Sequence, residues 1–205
     1  ALLKGYRQNL GIISQPGMGK TFILTSLFRN LSSQPPFIPI SFHANALHFD
    51  HFVERWLESV ISSVLFCLKD QRLVFQGGAF FEAAAALVPK TVERIRSLKK
   101  QIHREKNTVV LKELFSLTGL IAQETGRKII LMIDEFQGLS VLPVTNPYAL
   151  LGHEIMTQPN TLFIVTSSQV AKAQEIFRER LTLLFGNFEV IELAPFNFSE
   201  VVAFL

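Results

Sequence analysis

The order of β-rich runs and helical stretches predicts an α/β fold, a three-layer α/β/α sandwich around a mainly parallel five-stranded sheet. Two further observations support that class. The runs IILMI and LFIV are apolar at every position, as strands covered on both faces must be, whereas half-solvated strands alternate. The second to fifth runs each follow a chain breaker, QPP, GR, QPN and GN in turn.

The first strand is expected at Asn9–Ser14 (NLGIIS), running into a glycine-rich turn. A helix follows over Lys20–Leu31, where Phe22, Ile23, Leu27 and Leu31 recur at helical spacing. The second strand is Phe37–His43 (FIPISFH). The span from 44 to 127 holds more helix than a crossover between parallel strands requires: Phe49–Leu68, Phe80–Val88, and one long helix over Thr91–Glu124. Then come the strand Lys128–Asp134 (KIILMID), the helix Tyr148–Met156, the strand Thr161–Ser167 (TLFIVTS), the helix Gln169–Phe185 and the strand Phe188–Leu193.

Composition limits what such a chain can be. Its 205 residues can bury a core without staples. Apolar residues make up 48%, charged residues only 18% against roughly 25% in ordinary soluble chains, and there are 19 Phe. A mean hydropathy of +0.30 excludes a disordered chain. The 20 Lys and Arg against 17 Asp and Glu give +3, too weak a bias to imply nucleic acid by itself. The single cysteine, Cys67, excludes a disulfide framework and fits a reducing, cytoplasmic compartment. The most apolar helix, Trp56–Leu68, carries Glu58 and falls short of the about 20 residues a membrane span needs, so no membrane partner is expected. The start lacks an initiator Met and the order of a secretory signal, and FSEVVAFL stops inside a helical pattern. Both ends are therefore expected to be cuts in a longer chain.

The most informative segment is SQPGMGKT, Ser14–Thr21, between a strand and a helix. Gly17 and Gly19 let the backbone curl so that successive N–H groups face inward, and leave room for a polyphosphate to approach. The helix starting at Lys20 adds its positive N-terminal end. Lys20 offers a point charge to the terminal phosphates and Thr21 a hydroxyl ligand for Mg²⁺. Pro16, Met18 and Phe22 complete the set expected to contact the nucleotide. The pattern is G-x-x-x-x-G-K-[ST] with Ser14 at the first position, which serine can occupy if its φ is negative.

A phosphate loop calls for an apolar strand ending in Asp, to hold the metal's water shell. IILMIDEF provides Asp134 at the tip, where ligands of open α/β sheets bind. Glu135 follows and can orient and polarise the water that attacks the γ-phosphate. An Asp-Glu pair at a helix start is the competing reading. TLFIVTSS ends in Thr166, Ser167 and Ser168, any of which could hydrogen-bond that water or the phosphate. Serines at a strand end also serve simply as turn residues.

Together these segments resemble P-loop ATPases of the additional-strand class, to which AAA+ and STAND proteins belong. SQPGMGKT is similar to the AAA+ loop GPPGTGKT in Pro16, Gly17, Gly19, Lys20 and Thr21. IDEFQGL resembles the extended acidic motif of the archaeal-ATPase-like group near the STAND NTPases. IVTSSQV resembles that group's strand ending in Gly-Ser-Ser, which places Ser168 at the sensing serine. LLFGNFEVIELAPFNFSEVVAFL resembles its passage into a helical lid. The resemblance implies a core over 1–194, with its helical insert at about 44–127, and the start of a truncated lid at 195–205. It also implies that the TLFIVTSS strand lies between the acidic-motif strand and the phosphate-loop strand. Asn187 stands where the group often has Arg, so transition-state charge would be met slowly, by a partner's Arg, or by Arg178 or Arg180.

Other signals are weaker. His43, His48, His51 and Asp50 lack metal-site spacing and read as surface or cap residues. Cys67 reads as a packed, inert thiol. The basic run Arg94–Lys106 lacks interleaved aromatics and reads as a solvated face, with contact to nucleic-acid phosphates the alternative. The apolar helices of 49–88 are expected to dock the lid, a C-terminal module or another subunit. The function expected is Mg²⁺-dependent ATP binding and hydrolysis that moves a lid or partner. The alternatives are a nucleotide-gated switch with little turnover and a DNA-associated AAA+-type regulator.

Overall fold

A computed structural model describes residues 8–46, 48–69, 78–102, 104–181 and 188–195. Among these, the strands are β1 (Asn9–Ile13), β2 (Phe37–His43), β3 (Lys128–Asp134), β4 (Thr161–Ser167) and β5 (Phe188–Glu192). They form one sheet in the order β2-β3-β4-β1-β5, with every pairing parallel. The expected bounds hold to within one residue, and β4 lies between β1 and β3 as the resemblance implied. Parallel pairing aligns the strand ends along one edge. His43 is opposite Asp134, and Ile13 is opposite both Ser167 and Glu192. The C-terminal tips that carry the site therefore share one edge of the sheet.

The continuous apolar runs are explained by cover on both faces. Side chains alternate along a strand, so Ile130 and Met132 of β3 and Leu162 and Ile164 of β4 face a smaller core beneath α1 (Lys20–Ser32), with Leu24 and Leu27. Ile129, Leu131, Ile133, Phe163 and Val165 face a larger core on the other side. That core is built by α2 (Phe49–Lys69), α3 (Gly78–Ala85), α4 (Pro89–Gln101), α5 (Asn107–Thr125) and α6 (Pro147–Thr157).

The single long helix expected over Thr91–Glu124 is in fact two, α4 and α5. Arg104 and Glu105 turn back onto the carbonyl of Gln101, and Lys106 is extended (φ −68°, ψ 140°). The two helices then fold back on each other. At the far end Glu124 of α5 accepts from the amides of Lys90 (2.7 Å) and Thr91 (2.8 Å) and from the Thr91 hydroxyl. A carboxylate from α5 thus satisfies the open amides at the start of α4, which no helix can satisfy from within. Helical spacing cannot reveal such a reversal, because both halves keep the same period.

The helical insert belongs to the core. Trp56 is fully buried, and its indole N–H donates to the Leu114 carbonyl at 3.1 Å. Its ring packs against Phe42 of β2, Phe52 of α2 and Phe115 of α5. Trp56→Ala is expected to lower unfolding stability by about 3–5 kcal/mol, checked by urea denaturation. No helix among the described residues is long and apolar enough to cross a membrane.

A short α7 (Val170–Glu175) continues as a π turn over Ile176–Arg180. The helix expected over Gln169–Phe185 is thus seen to Arg180, and 182–187 lie outside the described residues. So does the expected lid start, apart from Pro195.

Candidate functional site

The loop between β1 and α1 has the curl its glycines require. Gly17 and Gly19 sit at φ +82° and +83°, a left-handed backbone that L side chains rarely adopt. A Cβ at either would meet no protein atom, so it would project into the open space of the loop. Ser14 has no positive φ, so serine is unstrained there. It also accepts the Lys20 ammonium on its hydroxyl (2.9 Å) and its carbonyl (3.1 Å), while the Gln15 carbonyl accepts at 2.9 Å. Lys20 is only 5% exposed and all three of its protons are met. Among the described residues no backbone carbonyl takes up the amides of Gly17, Met18, Gly19, Lys20 or Thr21.

These groups open on a cavity of about 360 Å³ lined by Pro16, Gly17, Gly19, Lys20, Thr21, Phe22, Glu135 and Ser168. Six of the seven residues expected to contact nucleotide line it. Met18 does not. It lines an adjoining hollow of about 490 Å³ with Gln15, Val170 and the end of β5, and the two spaces share Ser168. Phe22 is 75% exposed, although most large apolar side chains among the described residues are buried or half-buried.

The strand tips bring the expected pair of oxygens together, since the Thr21 hydroxyl donates to Asp134 Oδ2 at 2.8 Å. Asp134, 5% exposed, also accepts from the Thr166 hydroxyl on Oδ1 and has His43 Nδ1 at 3.3 Å from Oδ2. A hydroxyl and a carboxylate are the hard oxygen donors that suit Mg²⁺, which takes few protein ligands and completes its shell with phosphate and water.

The three hydroxyls left open at the end of β4 separate into distinct positions. Thr166, fully buried, donates to Asp134 and accepts from the amide of Glu135 at 3.3 Å. Ser167 accepts from the Gln169 amide at 3.0 Å, the turn position expected of a serine there. Ser168 reaches the cavity and binds Glu135 Oε2 through its amide (2.9 Å) and its hydroxyl (2.7 Å). Glu135 itself is left-handed (φ 53°, ψ 48°), a conformation that costs a non-glycine residue about 1 kcal/mol or more. It stands at the start of a 3₁₀ turn, Phe136–Val141, but its side chain does not cap that turn. The helix-cap reading of the Asp-Glu pair therefore does not describe this carboxylate.

Two neighbours were not picked out from the sequence as site residues. From sequence His43 reads as a surface or cap residue. Its position at Asp134 follows from matching the ends of two seven-residue strands, β2 and β3. Gln137 donates to Glu135 Oε2 at 2.5 Å, a contact created by the left-handed turn, which no periodicity shows.

The remaining candidates lie away from the cavity. Arg178 and Arg180 are exposed and do not line it, and Asn187 lies outside the described residues. In the basic run, Arg94 pairs with Glu113 (2.6 Å), Arg96 pairs with Glu82 (2.5 Å), and Lys99 lies 4.2 Å from the Phe81 ring centre. Much of that charge is already met within the chain. His48 and His51 are exposed. Burial pushes the Cys67 thiol up from its ordinary range, which keeps it protonated and unreactive near neutral pH.

A parallel sheet in this order, with a G-K-T loop after β1 and an acidic tip on β3, is the P-loop NTPase fold in its additional-strand form. Solved structures share it. A Walker-type ATPase of Pyrococcus abyssi matches with a TM-score of 0.60 at 17% identity, over 98% of this chain and 53% of its own length. The ORC2 protein of Aeropyrum pernix, in its ADPNP-ADP complexes, matches with a TM-score of 0.53 at 15% identity, over 99% of this chain and 46% of its own. This chain thus spans about half the length of either protein. No family model and no curated protein matches the sequence.

Proposed function

We propose that this chain binds ATP with Mg²⁺ and hydrolyses it, and that binding and hydrolysis drive a conformational change in a lid or partner. The observation that carries the reading is the convergence on one cavity of Gly17, Gly19, Lys20 and Thr21, whose amides no described residue accepts, with the Thr21–Asp134 pair, Glu135 and Ser168. The amides of 17–21 would hold the β- and γ-phosphates together with Lys20, whose ammonium would turn from Ser14 and Gln15 to the phosphate oxygens, and Thr21 and Asp134 would hold the metal. Mg²⁺, when bound, offsets charge on the phosphate oxygens. Glu135 would accept a proton from water as the water oxygen bonds to the γ-phosphorus and the β–γ bridge breaks. Ser168 would report the phosphate's presence, and the described chain would lie in the cytoplasm. Phosphate release by the full chain with ATP and Mg²⁺ tests the reading, and absence of release over background refutes the hydrolytic half.

Two results follow where single groups are removed. Asp134→Asn should weaken the metal requirement's affinity, raising the Mg²⁺ concentration for half-maximal turnover by about tenfold or more, since a neutral amide is a poor ligand for this ion. A Mg²⁺ titration of the rate measures it. Phe22→Ala should weaken ATP binding roughly tenfold while leaving inorganic tripolyphosphate binding unchanged, because a ring at the cavity mouth can stack on a base but not on phosphate. Calorimetric titration with both ligands separates the two.

One observation favours a second reading, a nucleotide-gated switch with little turnover. Glu135 and Ser168 are bonded to each other, so the base is held until something competes for it. Tight ATP binding with a Glu135→Gln rate equal to that of the wild type would select this reading.

A further inference from the structure

Three donors crowd one oxygen of Glu135. Gln137 Nε2 lies at 2.5 Å from Oε2, the Ser168 hydroxyl at 2.7 Å and the Ser168 amide at 2.9 Å. Ser168 lines the cavity, so its hydroxyl can turn to a phosphate oxygen there, whereas Gln137 does not line it and is 3% exposed. The Gln137 backbone is fixed independently of any ligand. Its carbonyl accepts from the Tyr148 hydroxyl at 3.0 Å and from the Ser140 hydroxyl at 2.8 Å, and Phe136 packs edge-on against the Tyr148 ring.

The amide's other end is unusual. Among the described residues, nothing meets Gln137 Oε1, although that atom is buried. Buried polar atoms are paired in the great majority of cases, and an orphan is costly. Flipping the amide would not help, because it would set the oxygen against a carboxylate oxygen and leave the nitrogen without its acceptor. A side chain needed only to fill this space would be Leu or Met. The glutamine is explained by the N–H it delivers.

We propose that Gln137 is a positioning residue, whose amide keeps the Glu135 carboxylate aimed at the cavity when triphosphate draws the Ser168 hydroxyl away. The inference rests on the hydrolytic reading above. Gln137 is buried and does not line the cavity where nucleotide and the attacking water would sit. It acts through Glu135 by preventing the freed carboxylate from swinging out of line, where misplacement is known to be expensive in rate.

The test uses the full chain and Gln137→Met, which keeps the length of the side chain and removes both the donor and the orphan oxygen. The expected result is a kcat at least about tenfold lower, a KM for ATP within about twofold of the wild type, and a Tm that does not fall. In the Glu135→Gln background the same substitution should produce no further loss, because the two residues act as one unit. A readout independent of turnover is the Gln137 side-chain amide resonance in the nucleotide-free protein, which Glu135→Leu should displace. An unchanged kcat, a loss shared between kcat, KM and Tm, an additive loss in the double variant, or an undisplaced resonance would each overturn the role. If the wild type itself releases no phosphate, the hydrolytic reading falls first. If it turns over and Gln137→Met matches it, only this inference falls.

Discussion

Glu135→Gln is expected to cut the rate of phosphate release by about 10²–10⁴-fold while leaving ATP affinity within a few-fold of the wild type. The range is what positioned general bases contribute. The split follows from the site. Glu135 lines the cavity, but among the described residues its carboxylate bonds only Ser168 and Gln137, whereas the groups proposed to grip phosphate belong to the loop. A neutral amide of the same shape preserves the left-handed turn (φ 53°) and the contact with Ser168, and loses the proton acceptor. Single-turnover phosphate release beside equilibrium binding is the measurement, and a rate unchanged by the substitution would contradict the role.

Lys20→Ala is expected to have the second large effect, and on binding. Loss of the ammonium should weaken ATP affinity by about 10- to 10²-fold, because a charge-assisted bond to phosphate contributes about 1.5–3 kcal/mol and each 1.4 kcal/mol is tenfold. The ammonium is also held by Ser14 and Gln15, so its removal leaves those oxygens unpaired at the root of the loop. Lys20→Met also removes the ammonium but keeps the aliphatic stem, so it separates loss of the ammonium from loss of stem packing. Affinity lost equally in both variants assigns the effect to the ammonium, and affinity restored in the Met variant would assign it to packing of the stem. Undiminished binding in both would remove the phosphate reading altogether.

The sequence revealed the features whose chemistry is local. IILMI and LFIV declared buried strands because burial on both faces removes alternation. SQPGMGKT declared its curled loop because the backbone conformation of Gly17 and Gly19 is written in residue type. What stayed hidden was set by distance in three dimensions. The break between α4 and α5 depends on Glu124 returning to cap Lys90 and Thr91, more than thirty residues away. Thr166, Ser167 and Ser168 looked interchangeable as text, and the pleat sorts them, sending one inward to Asp134, one to the turn and one to the cavity. His43 and Gln137 were invisible for the same reason, since one enters through strand register and the other through a reversed backbone at Glu135.

Thr166 has a consequence of its own. Its one hydroxyl gives a hydrogen to the side chain of Asp134 and receives one from the main chain of Glu135. Two neighbouring acids, to which the proposed mechanism gives separate duties, are thereby hung from a single peg on the adjacent strand, so that a shift of one is felt by the other. Such a coupling makes the pair robust against small breathing of the sheet. It also creates a single point of failure, where the loss of one oxygen atom would disturb both duties at once.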